Sequence, residues 1–237
     1  MMPPPRIPSI LCMMLLVLCA AFAGACGGRE REQRKAFIEF LEANVAAGAD
    51  RVRMSDATRT KIGGYARHFD VLATYSKDLG DVSARLAGEK ARIAAPGAVS
   101  MDRLGSERAR IEQLVAALSR SAQQVDAIKA RADSAKAALT QPDDLRAAFD
   151  KAFEREIHEY AAALQNLYAV QKDFYSEAAR MGMFFEKHRE KMHISGTAVT
   201  IDEQALVTEY NALQKSLQEK ARKMQDVLAS GGASLTR

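Results

Sequence analysis

The chain has 237 residues, of which 48% are hydrophobic, 27% charged and only 6% aromatic. That is one globular domain or a compact pair; the apolar fraction excludes a wholly disordered chain, and no run reaches the ~18 apolar residues of a multispan membrane protein. Lys+Arg 34 against Asp+Glu 30 gives +4 with the signs interspersed, which excludes a concentrated nucleic-acid footprint.

The first segment reads as an address. Arg6 is the one charge before an unbroken apolar run, Ile10–Ala23, and the small residues Gly24 and Ala25 follow. A charged start, a short apolar core and a small-residue exit describe a secretory signal peptide over 1–25. The run is short for a spanning helix, so an uncleaved anchor is the secondary reading. Cys12, Cys19 and Cys26 all lie in or just after this run, and no cysteine follows. The body therefore holds no disulfide framework, no cysteine nucleophile and no thiolate zinc site.

Ala23-Gly24-Ala25-Cys26 resembles the lipobox of bacterial lipoproteins, although the usual leucine three residues before the cysteine is Ala23 here. The resemblance implies that Cys26 becomes the first mature residue and carries acyl chains such as palmitate. A lone cysteine in an oxidising compartment is a liability unless it is consumed. In that family an Asp directly after the cysteine signals retention in the inner membrane. Gly27 stands there instead, which implies the inner leaflet of an outer membrane. Residues 26–30 are then a short lipidated tether, and the domain behind it faces the periplasm, close to the bilayer. Arg29, Arg31, Arg34 and Lys35 lie within reach of anionic headgroups, but Glu30 and Glu32 cancel part of that charge.

The body, 31–230, reads as long helices. The first covers about 31–47, with Phe37, Phe40, Leu41 and Val45 on one face and Gly48 as its stop. The second starts at Ser55 or Asp56 and carries Ile62, Tyr65, Phe69, Leu72, Tyr75, Leu79, Val82, Leu86 and Ile93. Gly63-Gly64 predicts a kink or break in it, and Pro96-Gly97 ends it. The third has the clearest pattern. Leu104, Ile111, Leu118, Val125, Ala132 and Leu139 recur every seven residues, Leu114, Ile128 and Ala135 form a second seam, and Glu107 and Ser121 are misfits. Such a heptad predicts coiled-coil-like packing, against a neighbouring helix of the same chain rather than a second chain. The fourth runs from Pro142 to Lys191 along Leu145, Phe149, Phe153, Ile157, Tyr160, Leu164, Leu167, Phe174, Ala178, Met181 and Phe185, with an interruption expected at Gly182. A helix of that length predicts an elongated bundle. Ile194, Val199 and Ile201 flank Ser195-Gly196, a turn signal that predicts a short β-hairpin over 192–201. Asp202 caps the fifth helix, whose seam is Leu206, Tyr210, Leu213, Leu217, Met224 and Val227. A flexible tail over 231–237 follows Ser230. The fold class is all-α: an elongated bundle of about five long amphipathic helices with one hairpin.

Three segments, Gln33–Leu41, Gln141–Phe153 and Glu209–Leu213, resemble the YiaF-like family of bacterial lipoproteins, a domain of unknown function. Their order and separation fit over most of the body, apart from about 90–135. The resemblance implies export and a single unit over 30–230. It brings no activity and no functional residues.

Candidate chemistry is sparse. Glu154 and His158 stand four apart on a helix, a spacing that can place two ligands on one face but reads more simply as an ordinary surface pair; His188, Glu190 and His193 lie near the hairpin with a spacing that matches no zinc motif, and His68 is the fourth histidine. No phosphate loop or nucleophile elbow is present, so no catalytic residue, metal or cofactor is expected. Met181, Met183, Phe184, Phe185 and Met192 form a possible hydrophobic binding surface, because Met and Phe make adaptable apolar contacts. The bland alternative is that the hairpin folds over them. The expected role is a non-enzymatic interaction or structural module, anchored to the membrane through Cys26 and engaging an envelope protein partner. The alternative is a periplasmic binding protein, or a chaperone-like carrier, for a hydrophobic ligand or exported chain.

Overall fold

The structure is a computed structural model that describes residues 28–44, 54–93, 103–195 and 198–235. The signal segment 1–25, Cys26, the stops at Gly48 and Pro96-Gly97, and Gly196 of the turn lie outside the described residues. The described chain is all-α apart from one hairpin. The elements are α1 (28–44), α2 (Asp56–Ile62), α3 (Ala66–Ile93), α4 (Leu104–Ala137), α5 (Asp143–Phe153), α6 (Tyr160–Lys187), β1 (Met192–Ser195), β2 (Ala198–Ile201) and α7 (Gln204–Leu235). A π-helical segment, Glu154–Glu159, joins α5 to α6, and 3-10 turns occupy Gly63–Tyr65 and Arg189–Lys191.

The chain divides into two compact units. The smaller comprises residues up to Asp70 together with Thr140–Ala152. Here Ser55 caps α2 by accepting the Thr58 backbone N–H at 3.1 Å, satisfying one of the orphan donors of a helix start. The expected break at Gly63-Gly64 is real. Gly63 adopts φ 54°, in the region that disfavours any Cβ, and opens the 3-10 turn. α5 starts with Asp143 and Asp144, whose charge suits the positive end of the helix dipole. Arg34 of α1 pairs with Asp144 at 3.1 Å. The core is aromatic: Phe37, Tyr65 and Phe149 surround His68, with ring centroids 6.2 Å apart for both Phe37–Tyr65 and His68–Phe149, and buried Phe69 meets Phe40 edge-on at 5.7 Å. His68 is itself fully enclosed, with its Nε2 3.4 Å from the Thr140 carbonyl oxygen. Burial therefore lowers its pKa, a shift the Thr140 carbonyl opposes in part.

The larger unit comprises Val71–Leu139 and Phe153–Arg237. Its first cluster joins Leu79, Val82 and Leu86 of α3, Leu118, Val125 and Ile128 of α4, and Ala161, Leu164 and Tyr168 of α6. Burying each such Leu, Ile or Val contributes about 1.5–3 kcal/mol relative to exposure. The predicted heptad of α4 is the seam: Leu104, Ile111, Leu118, Val125 and Ala132 are all buried, and the first four pack in clusters with other helices of this chain. Ser121 is carried into the core by its place in that repeat, and Glu107 reaches out to pair with Arg103 and Arg110, both at 2.9 Å.

Two expectations are corrected in detail. Gly182 does not interrupt α6. It is buried mid-helix, and a Cβ there would lie 2.6 Å from the Leu104 carbonyl oxygen, so its lack of a side chain lets α6 approach the start of α4. The departure from α geometry lies earlier, at Glu154–Glu159. The cause is visible in the buried stripe Leu145, Phe149, Phe153, Ile157 and Ala161, four steps of four residues. On an α-helix each such step drifts by roughly 40°, and a π turn, which closes i→i+5, takes up the drift. Last, α7 does not end at Ser230 but continues helically to Leu235.

Two glycine substitutions in helix interiors should therefore move stability in opposite directions. Gly88 of α3 has nothing within 4 Å of a would-be Cβ, so Gly88→Ala should stabilise by about 0.5–1 kcal/mol. Gly182→Ala gains the same propensity but drives a methyl into a backbone oxygen that cannot rotate away, and should destabilise by about 1–3 kcal/mol net. Denaturant unfolding of the two variants checks both signs.

Candidate functional site

The reading of Cys26 as an anchor bears on the first described helix. The described backbone is helical from residue 28 on, and Cys26 stands two residues before it in the sequence. The opening turns of α1 carry exposed Arg29, Glu30, Arg31, Glu32 and Lys35. Both signs are present. Ala36, Phe37 and Leu41 follow as the buried face.

The Met–Phe segment is the second candidate, and the structure places its members differently from one another. Met181 is fully buried, and Phe184, Phe185 and Met192 are also buried, whereas Met183 is 46% exposed. The first four belong to a core cluster with Leu104 and Ile111 of α4 and with Leu206, Tyr210 and Leu213 of α7. The adjacent rings Phe184 and Phe185 both face Tyr210, at centroid distances of 6.3 and 6.2 Å. Two neighbouring residues share a partner because the cluster wraps α6 on more than one side. β1 and β2 pair antiparallel, Met192 opposite Ile201 and Ile194 opposite Val199. Met192 enters the cluster from that hairpin, while Val199 and Ile201 pack against it. The hairpin thus folds over the second apolar face of α6. Met and Phe here fill a closed core.

The histidines resolve into separate environments. His193 is exposed, and the His188 ring lies tilted against Phe184, centroids 5.0 Å apart. His158, on the π segment, sits between two carboxylates: its Nδ1 is 2.8 Å from Glu154 Oε2 and its Nε2 is 2.7 Å from Asp133 Oδ1 on α4. Lys129 Nζ donates to the other Asp133 oxygen at 3.1 Å. Below the imidazole lies Phe153, edge-on at 5.2 Å, and Lys136 caps the same Phe153 ring at 4.8 Å. Partial burial tends to raise the Asp133 carboxyl, but the hydrogen bonds and charges of His158 and Lys129 outweigh it and hold its pKa below the usual range. Farther round the π segment, burial raises the pKa of Glu156, with Arg155 opposing in part. The π turn is what aims His158 at α4, so the sequence pair Glu154/His158 is half of a clamp whose other half stands 25 residues earlier. No spacing rule connects Asp133 to His158. Both imidazole nitrogens are engaged by carboxylates, which leaves neither free to ligate a metal or take a proton from a substrate. Among the described residues no three His, Cys, Asp or Glu side chains converge as metal donors.

Asp133 makes a pH-dependent contribution of known sign. Its folded pKa is depressed, so the stability it confers is full above the unfolded carboxyl value of about 4 and is lost as pH falls through the lower folded value. Asp133→Asn should flatten the acid limb of the unfolding free energy measured against pH, and should lower stability near neutrality by leaving His158 with one carboxylate. An acid limb identical to that of the unaltered protein would refute the clamp.

Comparison with known proteins gives a family without an assigned activity. A family model described as "Protein of unknown function (DUF3053)" matches residues 12–231. The "Uncharacterized protein YiaF" of Escherichia coli (strain K12) is 26% identical over 200 residues, covering 84% of each chain. The protein of the same description from Shigella flexneri matches equally, 26% over 84% of each chain. No solved structure matches. Among the described residues no helix is long and apolar enough to cross a membrane.

Proposed function

The chain belongs to the DUF3053 family, and from that premise we propose that it is a lipid-anchored protein of the bacterial cell envelope. In this reading Cys26 carries the acyl chains, and the helical body faces the periplasm as a non-enzymatic interaction or structural module. The outer membrane's inner leaflet is its seat, since Gly27 rather than Asp follows the cysteine. The observation that carries the proposal is the junction itself: the sole cysteine outside the apolar run stands two residues before helical backbone. Each buried methylene of an acyl chain stabilises the bound state by about 0.8 kcal/mol, so several chains make a durable anchor. With so few residues between Cys26 and the described helical segment, the anchor would keep the start of the domain close to the headgroups. Tethering raises the local concentration of the module for partners at the same surface.

The closed Met–Phe core supports this reading over a carrier for hydrophobic ligands. Such a carrier needs an open apolar groove, and the side chains best suited to line one, Met181, Phe184, Phe185 and Met192, are spent on internal packing. Nor does His158 lend itself to catalysis while both its nitrogens are bound to carboxylates.

The test is crosslinking in intact cells followed by mass spectrometry of what is joined, with a Cys26→Ala copy as control. A discrete envelope protein, absent from the control, is the expected result. No protein adduct, together with a co-purifying lipid or small apolar molecule, would favour the carrier instead.

A further inference from the structure

A cleft of about 490 Å³ lies between the end of α3 and the first half of α4, within the larger unit, and nothing above makes use of it. Its walls are Glu89, Arg92 and Ile93 from α3 and Arg110, Gln113 and Arg120 from α4. That volume is on the scale of small-molecule sites, roughly 300–1,000 Å³. Three guanidinium groups therefore face one concavity that holds a single carboxylate. Glu89 is committed to Arg120 at 3.1 Å, and Arg110 is held from outside the cleft by Glu107 at 2.9 Å. Arg92 has no ion-pair partner among the described residues.

From this geometry we propose that the α3–α4 cleft is a binding site for a phosphate-bearing ligand. Like charges converge in a concavity at an electrostatic cost that a bound anion removes, and their summed field raises the local concentration of anions. Guanidinium forks match phosphate oxygens in pairs. A phosphate monoester carries about −1.5 to −2 charge and three acceptor oxygens, which suits three arginines better than a lone carboxylate would. Gln113 adds an amide donor, and Ile93 offers an apolar contact for whatever carries the phosphate. Two sources share this chemistry: a soluble phosphate ester and the headgroup of an anionic lipid. The site is independent of how the chain is anchored.

The experiment uses the full chain in nanodiscs of zwitterionic lipid. Inorganic phosphate and glycerol phosphate are titrated by calorimetry, and protection of Arg92, Arg110 and Arg120 from an arginine-specific reagent is read by peptide mass spectrometry. A parallel sample uses nanodiscs containing phosphatidylglycerol. Saturable binding of the soluble phosphates with protection of the three arginines identifies a soluble ligand. Protection only on the anionic nanodiscs identifies a lipid headgroup. Either result supports the site. Arg92→Gln with Arg120→Gln should weaken binding by about tenfold, the loss of charge-assisted bonds. Glu89→Gln, which frees Arg120, should tighten it by about threefold. Absence of protection in both samples, or affinity unchanged in both variants, overturns the proposal; retained cooperative thermal unfolding shows that the variants are folded.

Discussion

The larger unit depends on one seam, the contact of α4 with α6. The heptad of α4 presents Leu104, Ile111, Leu118, Val125 and Ala132 along one side, and every other core element is placed by what that side touches. Toward the C-terminal end of α4 the seam is completed by α3 through Leu79, Val82 and Leu86. Toward its N-terminal end the completing helix is α7, with the hairpin closing over Met181, Phe184 and Phe185. A helical stripe wide enough to need two partners thus receives different partners at its two ends. Gly182 lies on this seam, against the backbone of Leu104.

Keeping α6 in register with α4 has a local consequence. The buried residues from Leu145 to Ala161 recur every four positions, which a regular α-helix cannot hold on one face. The π segment restores the alignment, and the same turn delivers His158 to Asp133. A packing constraint therefore creates a polar clamp. Departures of this kind often mark functional sites. In this chain the observed partners of His158 are all internal, which assigns the clamp to structure.

Much of the fold is legible in the sequence because amphipathic helices with few glycines leave little choice of period. The starts of α2 and α5, the turn at Gly63, the stripe of α3, the heptad of α4 and the hairpin over 192–201 all follow from capping residues, turn chemistry and hydrophobic spacing. Gly182 misleads because a glycine in a helix reads as a weak point, whereas the reason for it lies on another element. The π segment was within reach of the spacing, since four consecutive four-residue steps are incompatible with an unbroken α-helix. Asp133 with His158, and the three arginines of the α3–α4 cleft, were not. Their members are far apart in sequence, charged and exposed enough to read as solvated faces, and only the antiparallel packing of helices brings them together. The candidate at Met181–Phe185 was legible as an apolar excess, but the sequence could not say whether a ligand or the chain's own hairpin covers it.

The proposed role rests most heavily on Cys26, because lipidation there would turn a helical body of unassigned activity into a module held at a surface. The most direct test is the intact mass and fragmentation of the N-terminal peptide from protein purified out of bacterial membranes. The account predicts that the mature chain starts at Cys26 and carries the added mass of acyl chains, with Gly27 and the Arg29 region following unmodified. A chain that retains residues before Cys26, or one that starts at or near it with an unmodified thiol, would contradict it.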